Sequence, residues 1–167
     1  MTWNNPPPIV PTLAKAGKKI TPEMIAGDSE SSQQKALFSW AADSVGKYPA
    51  LAYIFAIPNG GLRDVRTATT LKAEGVKAGV PDIFLPCPKM GIELIANKVK
   101  DGYNFTSYHG LFIEMKLEKY RNHKNGGCSD AQIDFINYAA SAGYYCKVCY
   151  SWKEARDVLI AYLKGKL

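Results

Sequence analysis

The sequence predicts an α/β domain in which helices flank a small mixed β-sheet. Helical patterns of apolar residues and helix-ending residues occur in four stretches, near residues 29–45, 62–74, 129–142 and 151–163. Short apolar runs, each about the length of one strand, lie between these stretches. The resulting order, α-β-α-β-(insert)-β-α-β-α, is typical of a layered α/β domain.

The first half of the chain begins with a helix near residues 29–45, where Leu37, Trp40 and Ala41 recur at helical spacing. The continuous apolar run Leu51–Ile57 then predicts a buried strand. The sequence Pro58-Asn59-Gly60-Gly61 follows it and predicts a tight turn.

A second helix is predicted over Leu62–Glu74 and ends at Gly75, with Arg63 and Arg66 one turn apart. A glycine-containing loop over residues 75–80 leads into the next strand. Asp82 begins that strand, whose apolar residues are Ile83, Phe84 and Leu85.

The second half contains a segment of less regular pattern, residues 87–107, which we interpret as an inserted hairpin with a strand at Ile92–Ile95 and a turn at Asp101-Gly102. The remaining elements are expected in a fixed order: a strand at Tyr108–Leu117, a helix at Ser129–Ala142, a strand at Tyr144–Tyr150, and a helix at Ser151–Leu163 with a capping box between Ser151 and Glu154.

The chain has 167 residues, which favours one domain with a substantial core. Residues 1–25 contain Pro6-Pro7-Pro8 and three lysines and predict an arm or linker, so the domain is expected over residues 26–167. The formal net charge of +6 and the pI near 9.1 suit a polyanionic partner. Neither a long apolar span nor a signal-peptide core is present, so we expect a cytoplasmic location without membrane contact.

The four cysteines are expected to be free thiols. Cys146 and Cys149 have the spacing of a zinc half-site, but they fall on a predicted strand. Residues three apart on a strand face opposite ways, which disfavours chelation of one ion.

The candidate chemistry lies in Glu114-Met115-Lys116. Glu114 and Lys116 project from the same face of a strand, and a carboxylate beside an ammonium is costly to bury without a partner or a task. Asp82 heads a neighbouring apolar strand and can supply a second carboxylate. Two hard oxygen ligands suit Mg²⁺ or Mn²⁺, and a lysine beside the metal can hold or deprotonate water. Such a site is suited to cutting phosphodiesters.

Four sequence features together resemble the PD-(D/E)xK nuclease superfamily, and in particular its VRR-NUC branch of small stand-alone phage and prophage proteins. They are Asn59-Gly60-Gly61, Gly79-Val80-Pro81-Asp82, Glu114-Met115-Lys116 and Gln132. The resemblance covers residues 30–163. It implies a restriction-endonuclease-like αβββαβ core and a metal-dependent endonuclease, located in a bacterial or phage-infected cell. Stand-alone phage members are associated with four-way (Holliday) junctions and homodimers. The interval from Asp82 to Glu114 is longer here than is usual in the family.

The resemblance also implies roles for three further residues. Gln132 would lie near the active site, although Ser129 and Gln132 also form a capping box that explains this glutamine by itself. Glu30 would lie beside the metal, although a glutamate in a first helical turn is favoured by the helix dipole alone. Met115 would offer its backbone carbonyl to the metal.

The candidate DNA contacts lie in two segments. One is the turn and helix with Asn59, Arg63 and Arg66, and the other is the basic loop with Lys119, Arg121 and Lys124. Each set is also explained as a solvated turn, helix face or loop. His123 in the same loop is not expected to be the base, because Lys116 fills that role. Two other functions stay open: a DNA-binding module without catalysis, and a nuclease for flaps, ends or RNA.

Overall fold

The computed structural model describes residues 20–57, 70–93 and 104–167. The helices that lie wholly within these ranges are α1 (Pro22–Ile25), α2 (Glu30–Ser44), α3 (Asp130–Ser141) and α4 (Trp152–Leu163). Residues 70–73 are also helical. The strands are β1 (Phe55–Ala56), β2 (Ile83–Leu85), β3 (Lys89–Glu93), β4 (Asn104–Tyr108), β5 (Leu111–Met115) and β6 (Tyr145–Cys149). No helix of the described ranges has the length and apolar character needed to cross a membrane.

The main sheet has the strand order β1-β2-β5-β6. β2 pairs antiparallel with both β1 and β5, whereas β5 and β6 run parallel. The parallel pair is connected through α3, as a crossover between parallel strands requires. The predicted fold class, a small mixed sheet flanked by helices, is therefore confirmed.

The central strand β5 has two different faces because successive side chains of a strand alternate. Leu111, Ile113 and Met115 are fully buried in the main core, which α2 and α4 cover. Phe112 and Glu114 point to the opposite face, beneath α3. There the Phe112 ring stacks on Phe84 at 4.4 Å and meets Phe135 of α3 at 5.5 Å.

The prediction of a buried strand at Leu51–Ile57 is wrong. Residues Pro49–Tyr53 form a 3₁₀ turn, and the strand is limited to Phe55–Ala56. Proline has a φ suited to the first turn of a helix, and of this turn only Leu51 is buried. The side chain of Phe55 is 47% exposed, so β1 is an exposed edge of the sheet.

A hairpin lies within the predicted insertion, residues 87–107. β3 and β4 pair antiparallel, with Lys89 opposite Tyr108, and form a sheet of their own. The strand predicted at Ile92–Ile95 therefore begins earlier, and the turn predicted at Asp101-Gly102 lies outside the described residues. The helix predicted at Leu62–Glu74 also lies mostly outside them.

Gly79 allows the loop before Asp82 to approach α3 closely. Its φ is +87°, and a Cβ at this position would lie 2.4 Å from the backbone oxygen of Ala131 in the first turn of α3. Only glycine satisfies both the left-handed backbone and the close approach. The loop therefore brings Asp82 and the start of α3 to the same end of the sheet.

We expect Gly79→Ala to destabilise the fold by about 2 kcal/mol or more, because a left-handed non-glycine residue costs roughly 1–3 kcal/mol and the clash adds to it. Urea unfolding of the purified variant measures this loss. Gly75→Ala is the matched control, since Gly75 has a φ of +93° and a Cβ there would meet nothing within 4 Å. Equal losses in the two variants would contradict the proposed contact with Ala131.

Candidate active site

Asp82 and Glu114 meet because β2 and β5 are antiparallel. Ile83 pairs with Ile113, which places the residue before β2 beside the end of β5. The backbone N–H of Met115 donates a hydrogen bond of 2.9 Å to Asp82 Oδ2. Asp82 is thereby fixed against the strand that carries Glu114 and Lys116.

Glu114 is a buried carboxylate, with 1% of the residue exposed. Its Oε1 accepts hydrogen bonds from Lys116 Nζ at 2.6 Å and from Gln132 Nε2. Its Oε2 is buried and has no hydrogen-bond partner in the described part of the chain. One oxygen is thus fully engaged while the other remains available.

Gln132 has both of the roles that the sequence left open. Its Oε1 accepts from the backbone N–H of Ser129 at 2.8 Å, and its own backbone N–H donates to Ser129 Oγ at 3.3 Å, which completes the capping box of α3. Its Nε2 reaches the carboxylate of Glu114 from the same side chain. Capping therefore points the amide toward the sheet.

Glu30 lies on the other side of the pair, as the first residue of α2. Its Oε1 is 4.0 Å from Lys116 Nζ, and 42% of its side chain is exposed. The start of α2 is held in place by Gln33, whose Oε1 accepts from the backbone N–H of Trp152 at 2.9 Å. Glu30 thus borders the site without being buried in it.

A comparison with solved structures supports the fold. A solved structure described as a VRR_NUC domain protein is similar to the chain, with a TM-score of 0.58 and 26% sequence identity. The match covers 83% of this chain and 91% of that one. This chain has the VRR-NUC fold. The similarity indicates a nuclease of the PD-(D/E)xK type. No family model and no curated protein matches the sequence.

In this VRR-NUC fold, the buried site raises the pKa of both carboxyl groups. Burial and then the charge of Asp82 raise the pKa of Glu114 to about 7, although Lys116 opposes the shift. Burial also raises the pKa of Asp82, against the hydrogen bond from Met115 and the charge of Lys116. Two carboxylates in one partly desolvated site disfavour each other's charged form.

The pKa of Lys116 is raised as well, but for a lysine a raised pKa favours the charged form. Burial pulls its pKa down, but the hydrogen bond to Glu114 and the charges of Glu114, Glu30 and Asp82 outweigh burial, so its pKa is raised. Lys116 is therefore an ammonium in this arrangement. It is suited to holding a water or a phosphate oxygen, and less suited to removing a proton.

The residues present fit a divalent cation. The described residues contain no group of three or more His, Cys, Asp or Glu side chains that could enclose a metal. Mg²⁺, however, commonly takes one or two carboxylates together with waters and substrate phosphates. Asp82, Glu114 and the Met115 carbonyl are such a donor set, and a cation there would satisfy the unpartnered Glu114 Oε2.

The basic loop after β5 is more ordered than its composition predicts, and its cations differ from one another. Arg121 donates to Glu118 at 2.7 and 2.8 Å and to Glu154 at 2.9 Å, and it lies 4.1 Å from the Tyr150 ring centre. The contact of Arg121 with DNA stays a prediction, and its guanidinium already has protein partners in this structure. Lys119 and Lys124 are exposed, and Lys124 lies 3.6 Å from Asp130.

Sequence reasoning missed Glu154 as the residue that organises this loop. The predicted capping box at Ser151 is only half formed: Ser151 Oγ accepts from the backbone N–H of Glu154 at 3.2 Å. The Glu154 carboxylate instead accepts from Arg121 and from the backbone N–H of Tyr150. The capping pattern was the only signal at this position, and it indicated a different partner.

Three of the predicted DNA contacts, Asn59, Arg63 and Arg66, lie outside the described residues. The four cysteines are free thiols, as expected, and Cys146 and Cys149 lie on β6.

We expect the metal-free protein to lose stability as the pH rises from 5 to 8. A glutamate has an ordinary pKa near 4.5, and Glu114 has a pKa of about 7 in the folded state. The contribution of Glu114 to the free energy of unfolding is therefore fully present below about pH 4.5 and is lost as the pH rises through about 7. The loss is on the order of 1–3 kcal/mol, measured by urea unfolding in the presence of a chelator.

Glu114→Gln should flatten this pH dependence, because the amide does not titrate. Glu74→Gln, at an exposed position, is the control and should keep the wild-type slope. A wild-type slope in Glu114→Gln would show that another group causes the effect.

Proposed function

We propose that the protein is a divalent-metal-dependent endonuclease that hydrolyses phosphodiesters in branched DNA, with four-way junctions as the preferred substrate. The observation that carries this proposal is the state of the Glu114 carboxylate. One oxygen is held by Lys116 and Gln132, and the other is buried without a partner beside Asp82. An arrangement this costly is expected where chemistry requires it.

Asp82, Glu114 and the Met115 carbonyl would hold Mg²⁺ or Mn²⁺, with Glu30 at the border of the site. The bound metal would activate water and neutralise charge on the scissile phosphate. Lys116 orients the attacking water through its ammonium and offsets the negative charge that builds up on the phosphate. Gln132 holds Oε1 of Glu114, so that Oε2 would be left to bind the metal.

DNA is the expected partner because the chain carries a net charge of +6 and because Lys119 and Lys124 are exposed close to the site. Contacts of this kind read phosphates and shape more than base identity. Asn59, Arg63 and Arg66 are proposed as further contacts on the strength of the sequence.

A homodimer is part of the proposal. A four-way junction has approximate two-fold symmetry, so paired nicks need two active sites, and homo-oligomers usually close as two-fold dimers. The β3–β4 hairpin within residues 87–107 is the proposed contributor to the interface. Light scattering that gives only the 18.3 kDa monomer, with and without junction DNA, would remove the dimer and favour a substrate such as a flap or a DNA end.

A DNA-binding module without catalysis is the main alternative. The observation against it is that Asp82, Glu114 and Lys116 are brought together with a free carboxylate oxygen, for which binding alone gives no reason. A panel of labelled junctions, flaps, duplexes and RNA would separate the proposed substrate from the other nuclease substrates.

We expect Glu114→Gln and Lys116→Ala to reduce junction cleavage by at least roughly 10²–10³-fold, because the first removes a metal ligand and the second removes the cation that acts on the reacting phosphate. The affinity of both variants for the junction should stay within a few fold of the wild-type affinity, since phosphate contacts elsewhere supply most of it. Single-turnover cleavage in Mg²⁺ or Mn²⁺ and binding in chelator measure the two effects separately.

Lys147→Ala is the matched control for charge, because Lys147 is exposed on the neighbouring strand, where it pairs with Ile113 of the core face. It should cleave at the wild-type rate. Metal binding has an independent readout: Mn²⁺ should raise the melting temperature of the wild type but not that of Asp82→Asn. Near wild-type cleavage by Glu114→Gln would refute the proposed site.

The two exposed lysines of the basic loop, Lys119 and Lys124, should contribute to the salt dependence of DNA binding. Replacing Lys119 and Lys124 together by alanine should reduce the slope of log K against log salt by at most about 1.8, which is 0.9 for each of two phosphate contacts. Arg121→Ala should instead lower the melting temperature, because it breaks contacts to Glu118 and Glu154. An unchanged slope in the double variant would show that neither lysine contacts a DNA phosphate.

A further inference from the structure

An open groove of about 500 Å³ lies beside the candidate active site. Its described lining runs from Tyr120 through His123 and Lys124 to Cys128 and Asp130. This volume is within the range of roughly 300–1,000 Å³ that is usual for small-molecule and cofactor sites. Neither the VRR-NUC fold nor the proposed hydrolysis assigns a use to this groove.

The groove is connected to the catalytic residues through α3. Cys128 lines the groove, and the next residue, Ser129, donates to Gln132, which in turn donates to Glu114. Besides burial, the charges of Glu114 and Asp82 help to raise the pKa of the Cys128 thiol. The wall of the groove at Cys128 is therefore close enough to feel the charges of Glu114 and Asp82, the residues at which the proposed function places the scissile phosphate.

The walls of the groove combine an aromatic surface with a polar one. The rings of Tyr120 and His123 meet edge to face at 5.4 Å. Opposite in character, the carboxylate of Asp130 accepts from Asn125 Nδ2 at 3.0 Å and lies 3.6 Å from Lys124 Nζ. Because the charges of Lys124 and Asp130 offset each other, this wall does not favour an isolated anion.

Lys119 adds a cation next to the aromatic wall, with its Nζ 5.0 Å from the centre of the Tyr120 ring. An aromatic ring with a neighbouring cation is how proteins bind single-stranded nucleic acid, since the ring stacks on a base and the cation meets the phosphate. Donors and acceptors on the polar wall suit the edge of a base.

The groove is already shaped for a ligand. Gly126 and Gly127 have φ values of +62° and +81°, and a Cβ on Gly127 would lie 2.6 Å from Tyr120 Cβ, so the chain turns tightly behind the tyrosine. The Tyr150 hydroxyl donates to the Gly126 carbonyl at 3.2 Å, and Arg121 is held by two carboxylates. A rigid wall lowers the entropy cost of binding.

We propose that this groove binds an unpaired nucleotide next to the cleavage site, with the base stacked on Tyr120 and a phosphate near Lys119. The inference rests on the proposed function for the nature of the ligand, and it adds a preference for branched DNA, four-way junctions included, in which a base is unpaired at the branch point. Tyr120 is then a residue that determines specificity.

The test compares two junctions that are identical except at one unpaired position at the branch, which carries either 2-aminopurine or an abasic residue. Binding of the full-length protein is measured in chelator, so that no cleavage occurs. The wild type should bind the junction with the base about tenfold more tightly, and the fluorescence of 2-aminopurine should be quenched on binding.

Four variants separate stacking from charge. Tyr120→Leu should abolish both the tenfold ratio and the quenching, whereas Tyr120→Phe should keep them. Lys119→Ala should weaken binding of both junctions equally. Tyr138→Leu is the matched control, because Tyr138 lies on α3 with 69% of the residue exposed, and it should keep the ratio.

A wild-type ratio near one would overturn the proposal, and so would a Tyr120→Leu variant that keeps the ratio. If Tyr120→Leu does not fold, the affinity ratio of the two junctions, measured with the wild type and with Tyr120→Phe, still tests the proposal. The result is independent of catalysis: a protein that prefers the base but cuts no DNA would refute the proposed nuclease and leave the groove assignment in place.

Discussion

Burying the Glu114 carboxylate beneath α3 carries a desolvation cost of several kcal/mol unless donors or cations compensate for it. Compensation here comes from two directions: the ammonium of Lys116 on the same strand and the amide of Gln132 on α3. Each of these groups depends on a different element being in register. The carboxylate thus ties the sheet and the helix together at the point where the chemistry is proposed to occur.

Strand β5 supports both the fold and the site because its two faces have separate tasks. Leu111, Ile113 and Met115 fill the core, whereas Phe112 and Glu114 face α3. A shift of one residue in the pairing with β2 would exchange these faces and bury the charged pair in the main core. Since register is strongly specified wherever one face is apolar, the packing of the core also fixes the position of the carboxylate.

Local patterns were sufficient where the structure depends on local geometry. The two-residue period of a strand places Glu114 and Lys116 side by side, and the capping pattern locates the starts of α3 and α4. Local patterns were not sufficient where residues distant in the sequence, or a competing turn, determine the conformation or the contacts. An apolar run suggested a strand at Leu51–Ile57, but Pro49 begins a 3₁₀ turn there. The ion pair of Arg121 was not visible in the sequence either, because Glu154, one of its partners, is 33 residues away.

The double use of the Gln132 side chain has a consequence for partly folded molecules. One end of the amide closes the first turn of α3 and the other end orients Glu114. First turns are the parts of helices that fray most readily, so local opening of α3 would release Glu114 before the core unfolds. Under the proposed function, catalytic competence would then depend on the order of this first turn, and a molecule that retains its sheet but has lost the turn would be inert toward phosphodiesters.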